Sequence, residues 1–371
     1  MIIKTIIYCE FRLARLNWAL MDFKDLTLNE LTDIIKSLGK PAYAAKNMFK
    51  WVYKRRVEDF EQMTDIAKEL RAYFSQNYEN YRLKTLATQK AKDGCIKFLF
   101  GLKDGETIES VLIPKEGRVT VCVSTQVGCK MGCIFCCTST QGFKRNLSPS
   151  EIVNQVIEIN YYAKDKLGYS TDDSGIRTVT NIVFMGMGEP LDNLDSVVKA
   201  VDILSDHNSL AFGLRKITVS TCGLVPQMFE FKERSGAKLA ISLNAPSDYI
   251  RDKIMPVNKT YKIHELVGSI KKLPMKNLEF ITIEYILFKN LNDSKENALE
   301  LAKLLKGLPI KVNLIPFNPH PDATGFNAPD TQTLSDFYDQ LVEKGIVCNV
   351  RHSRGSDISA ACGQLRSRKG K

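Results

Sequence analysis

The 371-residue chain predicts an α/β fold: a partial (β/α)6 barrel with a small N-terminal helical domain. Three observations carry that expectation. From Thr120 onward, short apolar runs alternate six times with longer segments of helical period. Such alternation builds a parallel sheet, which right-handed crossovers curl into a barrel or an open part of one. Before residue 80 the apolar residues keep the helical period alone. Between these stretches lie strand-like runs joined by a hairpin turn at Asp104-Gly105.

Residues 1–21 open with apolar Met-Ile-Ile, but Lys4, Glu10, Arg12 and Arg15 interrupt the stretch. It matches neither a signal-peptide centre nor a span of ~18 apolar residues, and an unstructured extension is expected. Residues 22–80 form the helical domain. Leu28, Leu31, Ile34, Ile35 and Leu38 share one helix face, and Gly39 with Pro41 ends that helix. A second helix is expected from Ala42 to Arg56, with Met48, Trp51 and Val52 on one side and Lys46, Lys50 and Lys54 in a row on another. That row is either a solvated face or a phosphate-contacting one. A third helix is expected from Asp65 to Tyr78, with Leu70, Tyr73 and Phe74 inward.

Residues 81–118 read as a β-rich linker or extension, with strands at Ile96–Phe100 and Ser110–Ile113. The core over 119–350 follows. Its expected strands are Thr120–Ser124, Val179–Phe184, Ile217–Thr221, Leu239–Leu243, Phe280–Leu287 and Lys311–Ile315. Their helices are expected at Ser150–Ala163, Leu194–Leu204, Val225–Glu233, His264–Leu273, Ser294–Leu305 and Thr331–Lys344. Residues 351–371 form a C-terminal loop and tail, with six Lys/Arg against one Asp.

Composition is that of a globular protein, 44% hydrophobic and 25% charged, and the net charge of +10 favours a polyanionic partner such as nucleic acid. No stretch qualifies as a membrane span, and a cytoplasmic location is expected. Of ten cysteines, five fall between Cys122 and Cys137. A cluster this tight cannot pair internally without strain, which points to metal or redox chemistry in a reducing compartment.

Cys129, Cys133 and Cys136 stand at C-x3-C-x2-C spacing in a loop directly after the first barrel strand. A structural zinc site usually closes on four protein ligands. Three thiolates can instead hold three irons of a [4Fe-4S] cube and leave the fourth open for chemistry. In barrels of this kind the loops at the C-terminal strand ends carry the reaction. Met185-Gly-Met-Gly-Glu-Pro190 follows the second strand, and its glycines let backbone approach a ligand. Ser220, Ser242-Leu243-Asn244 and Asn318 also sit at strand ends, where either a cofactor contact or a satisfied loop polar is expected. Cys362 lies in a Gly-flanked loop near Arg351, Arg354 and Arg366, whose positive charge is expected to lower its thiol pKa.

With Phe135 before the last loop cysteine, the motif resembles that of the radical S-adenosylmethionine (SAM) enzymes. The resemblance implies a radical-SAM barrel, with a [4Fe-4S] cluster on Cys129, Cys133 and Cys136 and SAM on the open iron. It implies cofactor contacts at Gly188, Glu189, Ser220, Ser242, Leu243, Asn244 and Asn318, and places Phe135 near the adenine. Cys122-Val-Ser-Thr-Gln-Val-Gly-Cys129, Gln141-Gly-Phe-Lys-Arg-Asn146, Phe184-Met-Gly-Met-Gly-Glu-Pro190 and Ala360-Ala-Cys362-Gly-Gln-Leu365 further resemble the RlmN family of RNA adenine-C2 methyltransferases. The similarity runs from about Asp25 to Leu365.

That family acts on 23S ribosomal RNA and on the adenine beside the anticodon in tRNA. The resemblance assigns Cys362 as the thiol methylated by a first SAM. A radical from a second SAM removes hydrogen from that methyl, and the carbon adds to adenine C2. Cys122 resolves the resulting protein–RNA adduct by a disulfide to Cys362, and Glu109 is the proton acceptor. Spacing alone reads Glu109 as an exposed strand carboxylate and Cys137 as a non-ligand. The resemblance also implies an electron donor such as flavodoxin with its reductase, no membrane partner and a monomer. The sequence departs from the family at Ala44, where Arg is frequent, at Asn244, where His is common, and at Cys137 and Cys222, in place of small hydroxyl or similar residues. Two rival readings are a sister enzyme methylating adenine C8 and a non-catalytic Fe–S or zinc RNA-binding module.

Overall fold

The computed structural model describes residues 20–169, 178–276 and 279–366. Most of the expected N-terminal extension, and the tail beyond Arg366, lie outside the described residues. The chain divides into two compact units at Tyr81/Arg82.

The first unit holds β1 (Met21–Asp22), α1 (Leu28–Ser37), α2 (Tyr43–Tyr53), α3 (Lys68–Asn77) and β2 (Tyr78–Glu79), with β1 and β2 paired in parallel. α1 starts at a capping box, in which the Thr27 side chain accepts from the Glu30 N–H and the Glu30 carboxylate accepts from the Thr27 N–H. Phe23 centres the core, its ring 5.5 Å from Phe60 and 5.8 Å from Phe74. α2 stops short of the expected Arg56, which takes φ 56° and turns the chain out of the helix. α3 starts later than Asp65, whose carboxylate accepts the Trp51 indole N–H at 2.5 Å. Lys46 and Lys50 are exposed and Lys54 is half-buried.

The second unit is built on one ten-stranded sheet. β3 (Lys84–Lys90), β4 (Ile96–Gly101), β5 (Thr107–Lys115) and β6 (Arg118–Cys122) run antiparallel in turn. A separate pair, β7 (Gln126–Gly128) and β8 (Phe143–Asn146), brackets the cysteine loop and the short α4 (Cys137–Thr140). From β6 the main sheet continues in parallel and in chain order through β9 (Asn181–Phe184), β10 (Ile217–Thr221), β11 (Lys238–Ser242), β12 (Ile281–Leu287), β13 (Ile310–Pro316) and β14 (Cys348–Val350). The connecting helices are α5 (Pro149–Leu167), α6 (Leu194–Ser205), α7 (Val225–Arg234), α8 (Asp248–Ile254), α9 (Ile263–Ile270), α10 (Lys295–Leu305) and α11 (Thr331–Glu343).

The six expected β/α units are thus present, and a seventh parallel strand, β14, extends them. The strands expected as an extension over 81–118 are continuous with the barrel sheet, in register Leu99↔Glu109 and Val111↔Cys122. β3 carries no apolar alternation because all seven of its residues are exposed. After β14 the chain crosses to the antiparallel end of the sheet. Arg351 N–H donates to the Leu314 carbonyl at 2.8 Å, the Arg354 guanidinium donates to the Asp93 and Pro114 carbonyls, and Gly355 N–H donates to Asp93 Oδ2 at 2.8 Å.

Candidate active site

The cysteine loop stands on the β7–β8 pair. Gly128 takes φ +78°, and a Cβ there would lie 1.8 Å from the Gly142 carbonyl oxygen, so the close approach requires glycine. Cys129 N–H donates to that carbonyl at 3.0 Å, and Ile134 N–H to the Ile254 carbonyl at 3.2 Å. Folded in this way, Cys129, Cys133 and Cys136 line one cavity of about 160 Å³. Burial pushes the free Cys129 thiol up to about 12 and Cys133 well above the ordinary value. A bound cation would reverse that bias by favouring the thiolates.

The same cavity takes in Gly188, Glu189, Ser220, Ser242, Asn244 and Cys362. A Cβ on Gly188, at φ +99°, would meet Gln126 Cβ at 2.5 Å. The Glu189 carboxylate is buried and accepts from Leu191 N–H at 3.0 Å and Cys222 N–H at 2.8 Å, while burial raises its pKa. Asn244 Oδ1 accepts from Ile286 N–H at 2.9 Å and so ties the β11 end to β12. Two expected contacts do not line this cavity. Leu243 packs its side chain in the core, and its carbonyl accepts from Arg251 Nε at 3.0 Å. Asn318 Nδ2 donates to the Cys362 carbonyl at 3.2 Å and so holds the C-terminal loop. Phe135 lines the cavity and packs on Phe288 at 5.4 Å between ring centres.

Sequence reasoning missed two residues here. Arg251 is fully buried on α8, and its guanidinium reaches the carbonyls of Leu243, Cys222 (2.6 Å) and Ser242 (3.2 Å). Glu284 lies in one cross-strand row with Ser242 and Asn313. Its Oε1 accepts from Asn313 Nδ2 at 3.0 Å, while its buried Oε2 finds no hydrogen-bond partner among the described residues. A lone carboxylate in the apolar run of β12 was the available signal for it. Three thiols able to cap three corners of an iron–sulfur cube, beside a buried acceptor that awaits a donor, fit a [4Fe-4S] cluster with SAM.

Cys122 ends β6, buried, and burial first, then the nearby Cys362, pushes its thiol up to about 12. The Cys362 loop is anchored to the cysteine loop: Cys137 N–H donates to the Gly363 carbonyl at 2.7 Å, and Thr138 Oγ1 to the Leu365 carbonyl at 2.8 Å. Cys362 is exposed and opens onto the cavity. The expected lowering of its pKa is corrected. Burial raises it, and Arg351 only opposes that rise. Arg354 is occupied by the Asp93 and Pro114 carbonyls, and Arg366 pairs with Asp322 at 2.6 Å. Burial also works against the Arg351 charge, but Glu284, Cys362 and Cys122 outweigh it and raise its pKa.

Glu109 is buried rather than exposed. It faces a second cavity of about 730 Å³, shared with Cys137, whose Sγ lies 3.0 Å from His320 Nδ1. Lys97 Nζ stands 3.1 Å from Glu109 Oε1, and Arg366 N–H donates to Oε2 at 2.9 Å. Ala44, where a basic residue is frequent in the resembled family, is buried. No helix among the described residues is long and apolar enough to cross a membrane.

Known proteins share this architecture and sequence. Residues 21–79 match the family "Ribosomal RNA large subunit methyltransferase N-terminal domain", and residues 123–302 match the radical SAM superfamily. The dual-specificity RNA methyltransferase RlmN of Syntrophotalea carbinolica is 47% identical over 94% of this chain and 90% of its own length. That of Campylobacter lari is 44% identical over 95% of this chain and 99% of its own. The crystal structure of a radical SAM methyltransferase from Sphaerobacter thermophilus superposes with a TM-score of 0.84 at 43% identity, covering 93% of this chain and 99% of that one. Membership of the superfamily implies SAM and a [4Fe-4S] cluster. With relatives this similar over nearly its whole length, the chain belongs to the RlmN family of radical SAM dual-specificity RNA methyltransferases.

Proposed function

We propose that this protein forms 2-methyladenosine in 23S rRNA and, beside the anticodon, in tRNA, using two SAM per turnover. The observation that supports this reading best is one cavity lined both by three cluster-type thiols and by Cys362, with Cys122 close behind. Adenine C2 is not nucleophilic, so a polar transfer from SAM cannot reach it, and the methyl carbon must travel through a protein thiol.

Cys362 takes a methyl group from the first SAM, releasing S-adenosylhomocysteine. The cluster, when bound with a second SAM, supplies the one-electron cleavage that removes a hydrogen atom from the S-methyl group. The S-methylene radical carbon of Cys362 then bonds to adenine C2. The unpaired electron this leaves on the ring passes to a one-electron acceptor, for which the cluster oxidised in the SAM cleavage would serve. Glu109 accepts the C2 proton while the C–H electron pair restores the aromatic ring. The Cys122 thiolate attacks the Cys362 sulfur, an S–S bond forms, and the S–CH2 pair stays on carbon, which takes a proton to become methyl. Gly188, Glu189, Ser220, Ser242 and Asn244 orient SAM, with Leu243 and Asn318 acting indirectly, Leu243 through its hold on Arg251 and Asn318 through the Cys362 loop. The adenine leaves its stack to reach the cavity. An electron donor such as flavodoxin with its reductase supplies electrons to a cytoplasmic monomer.

Cys122→Ala is the decisive experiment. Incubated with SAM, reductant and substrate RNA, it is expected to accumulate a covalent protein–RNA species on denaturing gels. Unimpaired methylation with no such species would overturn the reading. Adenosine mass spectrometry separates the C8 alternative by its product, and absence of SAM cleavage after anaerobic reduction would favour a non-catalytic module.

A further inference from the structure

The antiparallel end of the sheet contributes more than framework. Lys97, Val111 and Cys122 lie directly opposite one another on β4, β5 and β6, and directly opposed residues point to the same face. Glu109, two residues before Val111, shares that face. The inner face of β4 and β5 is therefore continuous with the wall that holds Cys122. Lys97 and Glu109 are both nearly buried, with side-chain exposures of 11% and 6%, and their charges are 3.1 Å apart. Arg366, four residues past Cys362, fixes the other carboxylate oxygen through its backbone N–H at 2.9 Å.

We propose that Lys97 is the positioning residue for Glu109: its ammonium aims the carboxylate and balances its charge, and the 730 Å³ cavity carries the accepted proton to solvent. This rests on the reading of Glu109 as the group that takes the adenine C2 proton. The C2 proton passes to the carboxylate while the C–H electron pair stays in the ring, so no oxidant is needed for this step. From the carboxylate the proton leaves through the cavity, whose rim includes the exposed Ala87, Gln89 and Lys90. The charged groups that face Glu109 include Lys97 from β4 and Arg366 from the C-terminal loop. Cys137, His320, Asp322 and Asp357 line the same cavity. The Arg366 guanidinium is engaged with Asp322, and Lys97 is a side-chain cation paired with this carboxylate.

The test uses the Cys122→Ala background, in which the adduct is held, with cluster-reconstituted protein and RNA deuterated at C2 of the target adenine. Mass spectrometry follows deuterium loss from the trapped adduct against pH. Lys97→Met is expected to form adduct but lose deuterium about tenfold more slowly at neutral pH, with the acid limb of the profile moved up by about one unit. Lys97→Arg is expected to restore both. Glu109→Gln should retain deuterium at every pH; loss at the parent rate there would sink the reading of Glu109 itself. Retention in Glu109→Gln with an unshifted profile in Lys97→Met would overturn the Lys97 proposal alone. Loss of iron in both Lys97→Met and Lys97→Gln, with Lys97→Arg intact, would likewise overturn it in favour of a purely structural role.

Discussion

Arg251 shows how much of the site depends on one buried side chain that hydrogen-bonds to backbone at the strand ends. Its guanidinium gathers three carbonyls from the ends of β10 and β11 and the Asn258 side chain at 3.0 Å. Burial lowers its pKa, so the charge is held at a cost that these acceptors offset. Arg251→Met keeps the volume and removes every donor, leaving buried carbonyls unpaired. The expected loss is about 3 kcal/mol of stability, read as a lower urea midpoint with an unchanged slope. An unchanged midpoint would mean that water replaces the guanidinium. Glu284 poses the opposite problem at this scale: one of its oxygens, Oε2, has no donor among the described residues, and its place opposite Ser242 in the cavity wall makes the ligand the natural source of one.

Among the elements, the β7–β8 pair determines whether the cluster loop has a shape at all. Two short strands could not hold such a loop by themselves. Thr125 extends the pair through its carbonyl, which accepts from Leu147 N–H at 3.0 Å and from Asn193 Nδ2 at 2.9 Å. Gly128→Ala would press a methyl into the Gly142 carbonyl and force a β-carbon into positive φ. The strands must then part, and the three thiols lose their common cavity. Iron retained after reconstitution is expected to fall several-fold, with circular dichroism of the barrel little changed; full iron content would show that the loop adjusts freely. α8 illustrates the contrary case, a seven-residue helix too short to show a period, yet the one that delivers Arg251.

Over the whole molecule, the net charge of +10 has to be resolved into surfaces. On α2, Lys46 and Lys50 are exposed, with Lys54 half-buried at its end. If the row contacts phosphates, replacing Lys46, Lys50 or Lys54 by Gln weakens RNA binding and reduces the log–log salt slope by about 1 for each lost contact. Unchanged affinity for all three would make it a solvated face. The barrel was legible because each buried strand and amphipathic helix writes its own period, and the cluster motif because its three cysteines are local. Asn318 against Cys362, and Lys97 against Glu109, were not legible as contacts: each pairing exists only once strand register and the C-terminal crossing are set. β3 was invisible for the same reason that it matters. Among the described residues it is an edge strand with all seven residues exposed, a template for another sheet. Lysines stand at both its ends, Lys84 and Lys90. Two copies aligned antiparallel, edge to edge, would set Lys84 of one against Lys90 of the other at both ends of the ladder. The repulsion between them discourages growth of the sheet into a fibre, so the two lysines that end this edge strand work against the molecule's own aggregation.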